Sequence, residues 1–311
     1  MGAAHHPRGA VRDDGARRPG AGGKGRVILR IAVTGADGFT GRHFIRCAQA
    51  AGHPVQVLDA ELTDAHALRA QVQACEADAV LHLAGLAFVG HGDARAFYDV
   101  NLFGTLHLLE ALAATGRPLR RVLLASSANV YGNRGGEAID ETRCPAPVNH
   151  YASSKLAMEH MARTWADRLP ITIARPFNYT GPGQSPQFVI PKLVDHFARR
   201  AEVVRLGNLQ VHREYNDVRF VCEAYLRLLQ APQAPDTVNI CTGRTWDLAG
   251  VIAQLQAQSG HALRVEVDPA LVRAHEVHRL CGDPARLRAA VGDIPAPTLE
   301  ETLAWMLSSP A

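Results

Sequence analysis

The sequence predicts an α/β chain: a Rossmann-like, doubly wound parallel sheet followed by a smaller α/β C-terminal domain. Two patterns carry this expectation. From residue 27 to residue 174, short β-rich apolar runs alternate with helix-like stretches, the rhythm of a parallel sheet covered by helices on both faces. The first run closes on a turn whose glycines, Gly35, Gly38 and Gly41, are spaced three apart and open directly into a helical pattern. With 311 residues and 47% hydrophobic content, the chain can bury one large core or two adjoining ones.

The elements follow in order. Residues 27–33 form the first strand, 40–51 a helix closed by Gly52, and 55–58 a second strand ending at Asp59. Residues 65–74 continue as a helix, 79–83 as a strand, 94–114 as one long helix, and 121–125 as a fourth strand. A helix over 149–168 carries Tyr151, and 171–174 form a fifth strand. Beyond Pro176 the texture changes: 178–185 are loop-like, 187–200 helical, 203–216 short strands with turns, 222–229 helical and 237–241 a strand, and 242–311 mix helices with a strand. No internal repeat is visible. The expected organisation is a disordered extension over 1–25, a sheet domain over 26–177 and 217–241, and a second domain over 178–216 and 242–311.

Composition excludes several classes. A net charge of +3 gives no overall field for nucleic acid. The 15 histidines gather in no His-x-x-x-His or Cys-x-x-Cys cluster, so no metal site is expected. Cys47, Cys75, Cys144, Cys222, Cys241 and Cys281 are scattered and read as buried thiols of a cytoplasmic chain. No apolar run nears the roughly 20 residues of a membrane helix, and residues 1–25 lack the hydrophobic block of a signal peptide.

Parallel sheets of this kind bind ligands beyond the carboxyl ends of their strands, where the chemistry-bearing motifs fall. In the turn formed by Gly35, Asp37, Gly38, Phe39, Thr40 and Gly41, the glycines allow a tight turn, close approach of backbone to a pyrophosphate, and close helix packing. Asp59 stands where a carboxylate accepts hydrogen bonds from adenosine ribose hydroxyls and repels a 2′-phosphate. Glu61 and Leu62 follow toward the adenine, and the small residues of Leu83, Ala84 and Gly85 end a later strand. The expected cofactor is NAD(H), with NADP(H) left open. Tyr151 and Lys155 lie one helical turn apart, so the lysine charge can favour a phenolate. Ser127, from elsewhere, can hydrogen-bond a substrate oxygen. This trio suits proton transfer at a carbonyl oxygen.

These marks, with residues 82–85 (His-Leu-Ala-Gly), Asn101 within 100–105, residues 126–132 (Ser-Ser-Ala-Asn-Val-Tyr-Gly) and residues 175–178 (Arg-Pro-Phe-Asn), resemble the extended short-chain dehydrogenases/reductases that act on nucleotide sugars. Residues 175–186, 207–209 with 213–219, and 273–277 are most similar to GDP-4-keto-6-deoxy-mannose reductases. Ala274 stands where that pattern has proline. The resemblance implies that Ser127, Tyr151 and Lys155 are catalytic, and that Asn101, Pro176 and Phe177 join the cofactor site. It also implies a substrate site of Phe88, Val89, Ser127, Asn129, Asn178, Pro191, Lys192, Gly207, Asn208, Arg213, Arg273 and Glu276. Asn129 replaces the glutamate of the related dehydratases; an amide cannot abstract a proton, which argues against water elimination. The implied activity is NAD(P)H-dependent reduction of the C4 keto group of a GDP-4-keto-6-deoxy sugar, giving GDP-D-rhamnose or its C4 epimer, in a homodimer formed through 94–114 and 149–168. A C4 epimerase holding NAD tightly and a non-catalytic dinucleotide sensor are the alternatives.

Overall fold

The computed structural model describes residues 1–2, 27–87, 92–133, 138–272 and 277–309. The expected disordered extension, apart from the first two residues, lies outside the described residues, as do Phe88, Val89, Arg273 and Glu276.

Strands β1 (Ile31–Thr34), β2 (Val55–Leu58), β3 (Ala79–His82), β4 (Arg121–Ala125) and β5 (Ile171–Pro176) are followed by the short β6 (Tyr179–Thr180), β7 (Val203–Leu206), β8 (His212–Arg213) and β9 (Asn216–Asp217). Then come β10 (Thr237–Ile240), β11 (Arg264–Val267) and β12 (Arg279–Leu280). The central sheet has six parallel strands in the order β10-β5-β4-β3-β1-β2. The strand order reverses at β1, which lies between β2 and β3 and places the carboxyl ends of β1 and β3 at the switch point where such sheets take ligands. The remaining strands pair as β11-β7, β12-β8 and β6-β9.

The helices are α1 (Phe39–Ala50), α2 (Ala65–Ala74), α3 (Ala94–Tyr98), α4 (Thr105–Ala114), α5 (His150–Arg163), α6 (Val189–Ala198), α7 (Val218–Gln230), α8 (Leu248–Ser259), α9 (Ala285–Val291) and α10 (Leu299–Ser308). Period-two alternation sorts the strand side chains between them. Ile31, Val33, Ala79, Leu81 and Leu123 pack with Phe44 of α1 and Val221 and Tyr225 of α7, whereas Ala32, Val80, Val122 and Leu124 pack with α2, α4 and α5. Both sheet faces are therefore covered, which is why these strands read as continuous apolar runs. A further core joins Ile190, Leu193 and Phe197 of α6 to Val204 of β7, Val251 of α8 and Leu303 of α10.

The expected helix over 94–114 is interrupted. A π-helical stretch, Asp99–Gly104, separates α3 from α4, and Asn101, fully buried within it, spends its side chain on tertiary hydrogen bonds. Such π-bulges redirect a side chain at a functional region. Only Cys222, Cys241 and Cys281 are buried among the thiols; Cys47 and Cys75 are half-buried and Cys144 is exposed, because flanking apolar residues in sequence do not fix which face of an element meets the core.

Gly41 lies in α1, where alanine would gain about 1 kcal/mol of helix propensity. A Cβ there would nonetheless stand 2.1 Å from the Gly35 carbonyl oxygen. Gly41→Ala is thus expected to lose about 1–3 kcal/mol net, the cost of overpacking. Gly116→Ala, at a glycine with φ +62° but, among the described residues, no heavy atom within 4 Å of an added Cβ, is expected to lose about 1 kcal/mol from backbone strain alone. Urea midpoints of the two variants check this.

Candidate active site

Gly35 takes φ +68°, and a Cβ on it would lie 2.7 Å from the Ala84 backbone nitrogen, so the turn after β1 rests directly on the turn after β3. Gly38 N-caps α1 without any side-chain cap. By contrast, Asp64, Asn149, Asp217, Asp247 and Thr298 close the first turns of α2, α5, α7, α8 and α10 with their own oxygens. The start of α1 thus keeps its partial positive charge and its N–H groups for an anion.

Above the switch point opens a cleft of about 840 Å³, at the upper end of the roughly 300–1,000 Å³ of ligand sites. Gly35, Gly38, Phe39, Thr40, Gly41, Leu83, Gly85, Pro176 and Phe177 form one part of its wall. Ser127, Asn129, Tyr151 and Lys155 line its middle, and Asn178, Lys192, Gly207, Asn208 and Arg213 line the far part. Arg213 is 7% exposed and donates through Nη1 to the His212 carbonyl at 3.0 Å, while Lys192 Nζ donates to the Arg205 carbonyl at 2.6 Å. Among the described lining residues there is no Asp, Glu, His or Cys. Among the described residues, too, no group of three or more such side chains is placed to hold a metal ion.

The trio expected to be catalytic comes together at the start of α5. The Asn149 side chain accepts from the Ala152 backbone N–H at 2.8 Å and fixes the entry to the helix. Tyr151, 7% exposed, lies close enough to Ser127 for that hydroxyl to act on its phenol, and Ser127 Oγ accepts from the Asn129 backbone N–H at 3.2 Å. Burial raises the Tyr151 pKa and the Ser127 hydrogen bond pulls it partway back. The sequence suggests that Lys155 favours the phenolate; here the phenol is held more firmly protonated, and the Lys155 Nζ donates to the Ala125 carbonyl at 2.8 Å. Burial lowers Lys155 to about 8, against which the nearby Glu159 carboxylate acts.

Beneath the cleft runs a hydrogen-bond chain with one consistent direction. The Ala84 N–H donates to Thr34 Oγ1 at 3.2 Å, and Thr34 Oγ1 meets His82 Nδ1 at 2.7 Å. His82 Nε2 meets Thr105 Oγ1 at 2.9 Å, and the Thr105 hydroxyl donates to the Asn101 carbonyl at 2.7 Å. Because the single Thr105 proton is committed, its oxygen accepts from Nε2–H, leaving Nδ1 as the acceptor for the Thr34 hydroxyl. Burial holds His82 down at about 3, so the ring is neutral, as this tautomer requires. The Asn101 amide then donates to Ser154 Oγ at 3.1 Å, and Ser154 Oγ to the Tyr151 carbonyl at 2.8 Å.

Three expected contact residues are thereby reassigned. Asn101 does not line the cleft; its amide clamps Leu86 through both backbone groups, at 2.9 and 3.1 Å, and holds the 83–87 loop in place. The Leu62 side chain packs in the core, where a Cβ on Gly104 would approach it to 2.6 Å. Pro191 is buried on the packed side of α6, one helical step away from the cleft-facing Lys192. Asp37, Asp59 and Glu61 are exposed, and Asp59 accepts a hydrogen bond from Gln71.

Other residues enter that the motifs did not single out. Tyr179 lies parallel to Phe39 at 6.0 Å and its hydroxyl is 2.8 Å from Thr40 Oγ1. His43 Nε2 and Arg42 Nη2 donate to the Pro182 and Gly183 carbonyls at 2.9 and 3.1 Å. The buried Glu214 accepts from the Gly282 and Thr242 backbone N–H groups at 2.7 and 2.8 Å and anchors the segment bearing Arg213. Glu214 adjoins Arg213 in the sequence; the other pairings are between segments far apart in the chain and leave no signal there.

A dinucleotide fits these residues: the glycine turn offers a cradle that side chains would fill, and the uncapped α1 faces it. The model for the family described as GDP-mannose 4,6 dehydratase matches residues 47–306. The chain belongs to this family. It is 35% identical over 297 residues, covering 91% of this chain and 97% of the relative, to GDP-6-deoxy-D-mannose reductase of Pseudomonas aeruginosa. It is 31% identical over 271 residues, covering 85% and 92%, to GDP-6-deoxy-D-talose 4-dehydrogenase of Aggregatibacter actinomycetemcomitans. A solved structure of RMD from Pseudomonas aeruginosa complexed with NADPH has a TM-score of 0.83 at 34% identity, covering 90% of this chain and 98% of that one. A Burkholderia cenocepacia J2315 structure bearing the provisional label epimerase has a TM-score of 0.84 at 46% identity, covering 90% and 97%.

Lys155 titrates near 8 in the fold and at 10.5 when free. Between these values the unfolded chain binds more protons, so burying Lys155 costs stability at all lower pH. Lys155→Met is therefore expected to raise stability at pH 7 by no more than about 3 kcal/mol, with the gain vanishing as pH rises toward about 10. Urea unfolding across pH measures this.

Proposed function

We propose that this chain reduces the C4 keto group of a GDP-linked 4-keto-6-deoxy sugar with NAD(P)H, giving GDP-D-rhamnose or its C4 epimer. The observation that carries the proposal is the cleft lining itself. It offers a buried Tyr151–Ser127 pair beside Lys155, and Asn129 rather than a carboxylate next to them. Such a wall can give or take a proton at a carbonyl oxygen, and its described residues include no carboxylate or imidazole to remove one from carbon.

The bound dinucleotide supplies the hydride. Gly35, Gly38 and Gly41 would hold its pyrophosphate, with Leu83, Gly85, Pro176 and Phe177 beside its ring. Tyr151, kept protonated by burial, donates its phenolic proton to the oxygen forming at C4. Ser127 steadies that oxygen by a hydrogen bond. The Lys155 ammonium sits one turn behind, where its charge eases departure of the phenolic proton. Lys192 and Arg213, joined in this reading by Arg273, hold the diphosphate, while Gly207, Asn208 and Glu276 face the base and sugar. The dinucleotide is bound by 26–177 with 217–241 and the sugar by 178–216 with 242–311, in a cytoplasmic homodimer.

One comparison favours a second reading: the Burkholderia structure labelled an epimerase is the more identical of the two solved structures compared. An epimerase returns its hydride and consumes no reductant. Incubating the purified chain with GDP-4-keto-6-deoxy-D-mannose and NADH or NADPH separates the two. Stoichiometric loss of reduced-nicotinamide absorbance is expected; interconversion of sugars without it would establish the epimerase. Tyr151→Phe should keep both ligands bound and lose at least about 100-fold in kcat, the worth of a positioned general acid. Binding without turnover in the unaltered chain would leave a sensor. The rate should also fall as pH rises through about 8, where Lys155 loses its proton.

A further inference from the structure

Each turn of the buried side of α5 holds one residue of the strand end that carries Ser127. Tyr151 faces Ser127, Lys155 Nζ donates to the Ala125 carbonyl at 2.8 Å, and Ser126 Oγ donates to Glu159 Oε1 at 2.6 Å. Glu159 is 0% exposed and has no part in the chemistry above. Arg175 of β5 donates to it through Nε at 2.8 Å and Nη2 at 2.5 Å, and Arg163 through Nη2 at 3.2 Å. Arg175 in turn donates to the Tyr131 hydroxyl at 2.9 Å.

We propose that Glu159 is a positioning residue: it sets the strand end through Ser126 and supplies the negative charge against which the buried Lys155 side chain remains an ammonium. An ammonium taken out of water loses several kcal/mol of hydration, and one carbonyl does not replace it. Glu159 is the charge that opposes this loss. The other ionisable groups facing Lys155 are Tyr151, on its own helix and protonated, and His82 of β3, neutral by burial. Of the arginines that pair with Glu159, Arg163 is 39% exposed and Arg175 4% exposed in their side chains. A buried pair that merely cemented β5 to α5 would be replaceable by apolar side chains with no effect on Lys155. The catalytic consequence rests on the C4-reductase reading; the charge relation does not.

The chain has three lysines, Lys24, Lys155 and Lys192, so isotopic labelling at lysine Cε gives three NMR signals, assigned with Lys24→Arg and Lys192→Arg. Titration of the unliganded full chain should place Lys155 near 8. Glu159→Gln should lower that midpoint by about one pH unit or more, and Glu159→Asp should restore most of it. If the uncompensated Arg175 prevents Glu159→Gln from folding, Glu159→Met with Arg175→Met keeps the core filled and should lower the midpoint as well. A folded chain of either kind with an unmoved midpoint overturns the proposal. In turnover assays the high-pH limb of kcat should move down with the midpoint. Ser126→Ala, which keeps both charges, should leave that limb in place and reduce kcat several-fold at unchanged KM; an unchanged kcat would remove the strand-end half of the proposal. A moved midpoint in a chain that reduces no nucleotide sugar would sink the reductase reading and leave this one standing.

Discussion

A neutral imidazole locked between two threonines holds the cleft together. Thr34 ends β1 and His82 ends β3, directly opposite in the sheet register, and the ring joins them across the switch point while its far nitrogen reaches Thr105. A charged ring could not serve here, since both nitrogens would donate and the Thr34 hydroxyl would lose its acceptor. Burial enforces the neutral form. The glycine turn, the 83–87 loop, the π-helical stretch and the start of α5 are all positioned from this one chain of hydrogen bonds.

Desolvation also sets the reactivity above it. Tyr151 is pushed up and Lys155 down by the same loss of water, so the phenol is a proton donor at neutral pH and the ammonium titrates close to the working range. Of the two, only the lysine is brought toward neutral pH; the phenol is driven away from it, and a weaker acid releases its proton only with help from its surroundings. The carboxylates close to this region, Glu159 and Glu214, are bound to arginines or backbone N–H groups and do not line the cleft, which keeps their negative charge off its wall.

The family includes relatives named for dehydratase, reductase, dehydrogenase and epimerase activities on similar frameworks. A shared fold does not choose among them. In this chain Asn129 lines the cleft with Tyr151 and Ser127; its backbone N–H serves Ser127 and its side chain cannot act as a base.

The alternating pattern of apolar runs and the three-spaced glycines made the parallel sheet and the turn after β1 legible in the sequence, and helical spacing put Tyr151 and Lys155 on one face, because period-two and helical spacings are local properties of the chain. The side chain of Asn101 clamps Leu86 and that of Leu62 packs in the core, orientations that proximity in sequence to a site does not reveal. The break of the 94–114 helix, the Thr40–Tyr179 contact, the burial of Glu159 against Arg175 and the tautomer of His82 were decided by tertiary structure alone. Each depends on how much water is excluded and on which partner arrives from another segment, and neither quantity is written in the spacing of residues along a strand or a helix.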